Sequence, residues 1–191
     1  MKIRNRHGHF NLIAPIYDRI FGGMQHEQVF QHLDVQPGMI VLDIGGGTGR
    51  VARYVAQHRG QVIVVDPSPV MIREARRKGL PGVRALAEQL PFPTASVDRI
   101  LIVDAFHHFA HQELAARELM RVLKPGGRIV IEEPDLRFFG TKIIAWMEKI
   151  ALMQTRFLAP PDLIHLFEAH GAHLAALDSA NISAIIALTK S

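Results

Sequence analysis

The stretch VLDIGGGTG at residues 41–49 carries the strongest structural signal in this chain. An apolar run that starts at Met39 predicts a buried strand, which ends where the glycines begin at residue 45. Apolar residues at helical spacing then predict a helix over residues 50–58. Glycines at a strand-to-helix turn let the backbone approach a ligand closely, and a helix N-terminus attracts polar or anionic groups. The stretch therefore predicts a ligand-binding strand–loop–helix unit.

The spacing of these glycines distinguishes between two kinds of cofactor. Dinucleotide-binding proteins use the pattern G-x-G-x-x-G, in which the third glycine allows close packing of helix on strand. Gly45 and Gly47 fit that pattern, but Arg50 stands at the third position, which disfavours a nicotinamide oxidoreductase. The pattern present is D-x-G-x-G-x-G, with Gly49 as its last glycine and Asp43 as its acid. An acid there suits a ligand with positive charge, and S-adenosylmethionine carries an ammonium and a sulfonium group.

A second acid ends the next predicted strand, at residues 61–65. Asp66 follows that strand directly, where a carboxylate can accept two hydrogen bonds from a ribose diol. Nicotinamide enzymes use the same device, so Asp66 alone does not distinguish between the two cofactors. The alternative is that Asp66 only initiates the helix predicted from Pro69 onward.

Apolar runs and helical patterns continue to alternate along the chain. This order is typical of an α/β fold with a mainly parallel sheet and helices on both faces. Beyond residue 135 the pattern changes to a helix over residues 141–156, and then to a helix that Asp162 caps and Gly171 ends. The other predicted strands are residues 83–86, 99–103 and 128–131, with closing runs at 174–177 and 183–188, and the other predicted helices are residues 69–77 and 112–123.

Composition excludes several classes of protein. The chain has 191 residues, of which 48% are hydrophobic, as expected for a single globular domain. It has no cysteine, which excludes disulfides, cysteine-based zinc sites and thiolate nucleophiles. The formal charge of +4 is mild, and a nucleic-acid partner is not expected. The chain has no run of about 18 apolar residues, so we expect no transmembrane segment and a cytoplasmic location.

The order of several short motifs points to one family. They are residues 10–18 with Tyr17, the glycine motif at 43–49, Asp66-Pro67-Ser68 with Met71, residues 87–92 (AEQLPF), Phe106-His107-His108, and residues 123–127 (LKPGG). In this order and spacing they resemble the motifs of class I S-adenosylmethionine-dependent methyltransferases. The branch that contains the ubiquinone/menaquinone-biosynthesis C-methyltransferases looks most similar, and the resemblance covers residues 10 to about 135.

The resemblance implies a fold and a domain organisation. The fold is the Rossmann-like class I methyltransferase fold, an α/β architecture with a mainly parallel seven-stranded sheet, helices on both faces and an antiparallel last strand. Residues 1–191 then form a single methyltransferase domain. Its expected parts are an N-terminal helical cap at 1–35, a cofactor-binding core at 36–135, a helical lid-like insertion at 136–160, and a closing helix with strands at 161–191.

The resemblance also implies S-adenosyl-L-methionine as the cofactor and S-adenosyl-L-homocysteine as the product. One departure concerns Leu86, because the family commonly has an acid two residues before Glu88 that holds the adenine amino group. With leucine there, the adenine contact rests on backbone groups, or cofactor binding is weaker. Carried over residue by residue, the candidate cofactor-binding residues are Tyr17, Asp43, Gly45, Gly46, Gly47, Gly49, Asp66, Pro67, Met71, Ala87, Glu88 and Val103.

Two histidines are candidates for chemistry. Methyl transfer from a sulfonium needs a base only if the nucleophile must lose a proton. His107 and His108 follow the strand at 99–103, whose carboxyl end faces the ligand crevice in open α/β sheets. His108 is the candidate for substrate contact or base, and the alternative is a capping or packing role. His111 completes an H-H-x-x-H string, but no metal is expected because no nearby carboxylate or cysteine completes a site.

The acceptor is expected to be a small organic molecule that is apolar or aromatic. Residues 138–158, with Trp146 in a wide apolar stripe, are the candidate substrate lid, and ordinary packing across the sheet is the alternative. Methyl transfer to RNA or protein is a second functional alternative, and a non-catalytic cofactor-binding module is a third. The sequence assigns neither the methylated atom nor the oligomeric state.

Overall fold

The computed structural model describes residues 26–58, 60–135, 156–180 and 183–191. Strands and helices alternate through these residues, as the sequence predicts. The helices are α1 (His26–Leu33), α2 (Arg50–Gln57), α3 (Pro69–Arg77), α4 (Gln112–Val122) and α5 (Pro160–Glu168), with a short 3-10 helix at Phe106–His108. The strands are β1 (Ile40–Ile44), β2 (Gln61–Val65), β3 (Gly82–Val83), β4 (Val97–Val103), β5 (Leu123–Pro134), β6 (Ala172–Ala180) and β7 (Ser183–Lys190).

These strands form one seven-stranded sheet in the order β3-β2-β1-β4-β5-β7-β6. Neighbours from β3 to β5 pair in parallel, and β7 pairs antiparallel with both β5 and β6. The chain builds outward from β1 in one direction and then restarts at β4 on the other side. Ligands bind at such a switch point, outside the carboxyl ends of the strands. The predicted fold class, including the antiparallel last strand, is confirmed.

Side chains of the strands alternate between two cores, one on each face of the sheet. The first core joins Leu42 of β1 and Ile100 of β4 to Leu119 of α4 and Phe167 of α5. The second core lies on the other face, where Val41, the neighbour of Leu42, packs with buried residues of α1, α2 and α3. Both faces of the sheet are therefore covered, which explains why β1 is mostly apolar and why β4 is apolar after Arg99.

Several predicted boundaries were wrong in part. Strand β4 starts at Val97 rather than at residue 99, and β6 spans Ala172–Ala180 rather than 174–177. The third strand spans only Gly82–Val83 because it is an edge strand with one neighbour, and Leu86 instead forms an isolated bridge with Gln89. Strand β5 starts at Leu123 rather than at residue 128, because Leu123 pairs with Val97 of β4. Helix α5 starts at Pro160, and Ala159 rather than Asp162 is its N-cap residue. Proline is favoured in the first helical turn, where its missing N–H costs no hydrogen bond.

Several predictions concern residues outside those described. They are the N-terminal cap up to residue 25, with Tyr17, and residues 136–155 of the lid-like insertion, with Trp146. The division of the domain into four parts stays a prediction. In the part of the chain that the structure describes, no helix combines the length and the apolar character that crossing a membrane requires.

Candidate functional site

The glycine loop lies at the carboxyl end of β1, at the switch point of the sheet. Gly45, Gly47 and Gly49 all have positive φ, at 71°, 54° and 75°. The left-handed region is strained for residues with a Cβ, which explains why glycines alternate at these three positions. The Gly45 N–H donates to the carbonyl of Val65 (2.8 Å), and the Gly49 N–H donates to that of Gly46 (2.8 Å). The loop is therefore held on β2 and closed on itself.

The surroundings of these glycines separate a protein side from a ligand side. A Cβ on Gly45 would lie 2.6 Å from the Cβ of Ala105, and a Cβ on Gly49 would collide with Leu80. A Cβ on Gly47 would meet no described atom within 4 Å. Gly45 and Gly49 are thus glycines because the protein packs against them. Gly47 faces space that holds no atom of the described residues, where a ligand can approach the backbone.

Asp66 is joined to the glycine loop by a hydrogen bond. Its Oδ2 accepts the Gly47 N–H (3.1 Å), and its Oδ1 accepts the Ser68 N–H (2.7 Å). Ser68 is the N-cap of α3, because its Oγ accepts the Met71 N–H (3.3 Å). Asp66 is therefore not the cap itself. It is a buried acid that fixes the loop and the start of α3 together.

Asp66→Ala is expected to weaken S-adenosylhomocysteine binding by roughly 1.5–3 kcal/mol, the scale of hydrogen bonds to a charged group. The Gly47 amide also loses its acceptor in this variant, so the loop loses part of its fixed shape. Calorimetric titration measures the effect. Asp162→Ala is the control, because Asp162 lies in the first turn of α5, which packs against β6 at the far edge of the sheet. Equal dissociation constants for the two variants would place the ribose elsewhere.

Asp43 lies beneath the loop and not in front of it. It is 1% exposed, and a Cβ on Gly46 would collide with its Oδ2. Burial raises the pKa of Asp43 from 3.8 to about 7 and is the largest effect on it. A hydrogen bond from the Ala52 amide of α2 lowers this pKa, the nearby charge of Asp66 raises it, and that of Arg50 lowers it. Its Oδ2 has no hydrogen-bond partner among the described residues. A buried carboxyl of this kind favours a cation nearby.

These features fit the amino-acid end of S-adenosylmethionine. The N-cap of α2 is Gly49, which has no side chain to cap the first turn. First-turn N–H groups that no capping side chain occupies can receive a carboxylate. The buried carboxyl of Asp43 and the open face at Gly47 suit the ammonium and the close approach of a ligand. The fit therefore involves Oδ2 of Asp43 and the glycines of the loop.

The residues predicted to border adenine lie around the start of α3 and the turn at residues 86–89. Met71 and Ala87 are buried, and the Pro67 carbonyl accepts a hydrogen bond from Arg84 Nε (3.0 Å). Glu88 uses its carboxylate to accept the His111 N–H (3.1 Å) before α4. The roles of these residues toward adenine stay predictions.

Leu86 stands where the family commonly has an acid, and its side chain is 39% exposed. Its carbonyl accepts the Gln89 N–H (3.1 Å), which folds residues 86–89 into a tight turn. The backbone of this turn is ordered without help from an acid. The adenine contact through backbone groups stays a prediction.

The turn after β4 contains the two candidate histidines. Val103 ends β4 beside Glu132 of β5, and His108 is half-buried in the 3-10 helix. His107 is buried and its Nδ1 lies 2.6 Å from Oε2 of Glu133. His108 was the predicted residue, whereas the pair of His107 with Glu133 was not predicted. The available signal was the run of two acids that ends apolar strand β5, since Asp43 and Asp66 stand similarly on β1 and β2.

Glu132, the other acid of that run, is buried on the opposite face of β5 from Glu133. Burial raises the pKa of Glu132 from 4.5 to about 7, against the lowering effect of a hydrogen bond from Ser183. The Ser183 hydroxyl donates to its Oε1 (3.1 Å). Arg50 lowers this pKa as well as that of Asp43. Arg50 thus lowers the pKa values of two buried acids at the carboxyl ends of the strands.

Comparison with known proteins identifies the family of this chain. The family described as a methyltransferase domain matches residues 42–131, which run from β1 into β5. The ubiquinone/menaquinone biosynthesis C-methyltransferase UbiE of Cupriavidus metallidurans is 32% identical over 170 residues, covering 75% of this chain and 70% of that enzyme. The chain belongs to this methyltransferase family. Its family membership makes S-adenosyl-L-methionine the cofactor of the fold.

Two further relatives show how far the similarity extends. UbiE of Bordetella parapertussis is 35% identical over 133 residues, covering 60% of this chain and 52% of that enzyme. The chain thus spans about half the length of this relative. A solved S-adenosylmethionine-dependent methyltransferase from Thermotoga maritima has the same fold, with a TM-score of 0.78 at 24% identity, covering 95% of this chain and 98% of that one.

Proposed function

We propose that the chain binds S-adenosyl-L-methionine at the glycine loop and transfers its methyl group to a small organic acceptor, apolar or aromatic, leaving S-adenosyl-L-homocysteine. The glycine loop is the observation that carries this proposal. It combines three left-handed glycines, an open face at Gly47, a hydrogen bond to Asp66 and the buried carboxyl of Asp43 beneath it.

Each residue of the site has a proposed task. Gly45, Gly46, Gly47 and Gly49 let the cofactor approach the backbone of the loop, and Asp43 balances its positive charge. N–H groups at the start of α2 receive its carboxylate. Asp66 accepts the ribose hydroxyls. The remaining candidates border the adenine or the methyl group, namely Tyr17, Pro67, Met71, Ala87, Glu88 and Val103.

When bound, the cofactor supplies an activated methyl group on a sulfonium, so the protein must mainly orient the acceptor and exclude water. His108 is the proposed acceptor contact, and it takes a proton if the nucleophile carries one. It follows β4 at the carboxyl edge, where it can reach a molecule above the sheet.

The acceptor class is the next part of the proposal. The relatives are named as C-methyltransferases of ubiquinone and menaquinone biosynthesis, which supports an aromatic acceptor and methylation at carbon. Residues 136–160, with Trp146, are proposed to cover it. A cytoplasmic location and a small-molecule partner complete the proposal, and a nucleic-acid partner is not part of it.

A ligand panel tests the cofactor. The protein is expected to bind S-adenosylmethionine and S-adenosylhomocysteine but not NAD, because Arg50 stands where a dinucleotide loop needs glycine. Calorimetry with the three ligands measures this. Incubation with methyl-labelled cofactor and a series of hydroquinones then tests the transfer. Tight NAD binding without response to the adenosyl ligands would overturn the proposal.

A further inference from the structure

His107 and Glu133 form a buried pair that the proposed reaction does not use. His107 is 1% exposed and Glu133 is 8% exposed. Nδ1 of His107 lies 2.6 Å from Oε2 of Glu133. The imidazole ring is also held by two neighbours, with His108 at a centroid distance of 3.9 Å and Phe157 stacked at 4.3 Å. A ring held by a hydrogen bond and by two rings has one defined orientation.

The second oxygen of Glu133 binds the backbone of the turn after β4. Its Oε1 accepts the N–H groups of Ala105 (3.0 Å) and Phe106 (2.8 Å). Three N–H donors therefore converge on one carboxyl group if the His107 ring donates as well. Because Glu133 lies on β5, beside β4, this carboxyl fastens the turn to the sheet.

The fastened turn forms one wall of the glycine loop. The Cβ of Ala105 lies 2.6 Å from the place where a Cβ on Gly45 would stand. A small shift of the turn would therefore change the space beside the loop. On its other side the turn receives the returning chain, since the His107 carbonyl accepts the Arg156 N–H (2.9 Å).

We propose that Glu133 is a positioning residue that fixes both the tautomer of His107 and the place of the turn at residues 104–108. Through Ala105 the carboxyl holds the wall of the glycine loop, and through the ring of His107 it orients His108. The effect on cofactor binding rests on the proposed function, whereas the effect on the histidine ring does not.

The proposal predicts a change of tautomer in one variant. A carboxylate only accepts hydrogen bonds, so Nδ1 of His107 carries a proton in the wild type. In Glu133→Gln the carboxamide oxygen takes the place of Oε1 and accepts the two backbone N–H groups. The NH2 group of the glutamine cannot stand there, because it is a donor and would face two other donors. The NH2 group then faces Nδ1, which must accept, and the proton of the neutral ring moves to Nε2.

Two readouts follow Glu133→Gln. Nitrogen-15 spectra of the histidine rings are expected to show His107 protonated at Nδ1 in the wild type and at Nε2 in the variant. Titration with S-adenosylhomocysteine is expected to show binding weakened by roughly tenfold, as for the loss of a charge-assisted hydrogen bond. Both are measured at a temperature at which circular dichroism shows folded protein.

Asp98→Asn is the matched control. Asp98 also accepts a backbone N–H, that of Ile40 (2.9 Å), and pairs with a cation, Lys124 (2.7 Å). It stands near the start of β4, at the amino ends of the parallel strands, whereas the glycine loop lies at their carboxyl ends. This variant is expected to lose stability but to keep the His107 tautomer and to bind S-adenosylhomocysteine within about twofold of the wild type.

A second pair of variants applies if Glu133→Gln does not fold. His107→Asn keeps an N–H near the place of Nδ1 and is expected to bind S-adenosylhomocysteine within about threefold of the wild type. His107→Phe loses that donor and is expected to bind roughly tenfold more weakly. Equal affinities for these two variants would overturn the positioning role.

The remaining outcomes separate the two proposals. An unmoved tautomer in folded Glu133→Gln overturns the positioning role, whether or not any ligand binds. If the tautomer of His107 changes in Glu133→Gln but the affinity for S-adenosylhomocysteine does not, the pair is only a structural contact, and the positioning role is overturned as well. Absence of binding to the wild type overturns the proposed function instead, while the ring spectra still decide how Glu133 acts on His107.

Discussion

Gly47→Val is expected to abolish cofactor binding while the protein remains folded. Gly47 has φ of 54°, and its missing Cβ faces space without described atoms within 4 Å. A valine there enters the space above the loop and does not press against the protein. Steric exclusion removes the contacts of a ligand with the loop, so the dissociation constant is expected to rise at least about a hundredfold. The left-handed backbone adds strain of roughly 1–2 kcal/mol.

Gly126→Val is the matched control for that strain. Gly126 also has positive φ (72°), and a Cβ added to it would meet no described atom within 4 Å. It lies near the start of β5, at the end of the strands opposite the glycine loop. Both variants are expected to lose similar stability in thermal unfolding, and only Gly47→Val is expected to lose S-adenosylhomocysteine binding in calorimetry. If folded Gly47→Val binds as well as Gly126→Val, the loop is not the cofactor site.

The parts of the fold that depend on local rules could be predicted from the sequence. Strand β2 (Gln61–Val65) and helix α3 (Pro69–Arg77) have the predicted bounds, because a short apolar run and a proline in the first turn mark them. The glycine loop was equally accessible, since left-handed positions favour glycine and three alternating glycines directly follow an apolar run. Its position at the switch point then follows from the alternation of strands and helices.

The parts that depend on distant contacts could not be predicted. Glu133 stands 26 residues from His107, and only the pairing of β4 with β5 brings them together. His107 and His108 are adjacent in a 3-10 helix, and nothing in their sequence shows which one the protein buries. The length of β3 likewise depends on its single neighbour and not on its own residues.

Asp43→Asn is expected to weaken binding of S-adenosylmethionine by roughly tenfold, and that of S-adenosylhomocysteine by less. The carboxyl of Asp43 lies beneath Gly46, close to the open face of the loop. S-adenosylmethionine carries one positive charge more than its product, on the sulfonium. A carboxylate beneath the loop favours the charged ligand, and a neutral carboxamide of the same shape does not.

The same variant is expected to change how stability depends on pH. Burial raises the pKa of Asp43 from 3.8 in the absence of structure to about 7 in the fold. The folded protein therefore holds this proton more tightly than the unfolded chain does. The contribution of this protonated carboxyl to the free energy of unfolding is fully present below about pH 4 and is lost as the pH rises toward 7. Asparagine cannot ionise, so Asp43→Asn without ligand is expected to be more stable than the wild type at pH 8, by roughly 1–3 kcal/mol.

Glu132→Gln distinguishes the charge of Asp43 from the general effect of removing a buried acid. Burial raises the pKa of Glu132 from 4.5 to about 7, so this variant is also expected to gain stability at pH 8. Glu132 stands near the end of β5, beside Val103 and not beneath the loop, so the ratio of the two ligand affinities is expected to change less than in Asp43→Asn. Denaturant unfolding at pH 5 and pH 8 and paired titrations with the two ligands measure both effects. If Asp43→Asn lowers stability at pH 8 and leaves the affinity ratio unchanged, Asp43 is an ionised structural cap of α2, and the charge of the cofactor is balanced by another group.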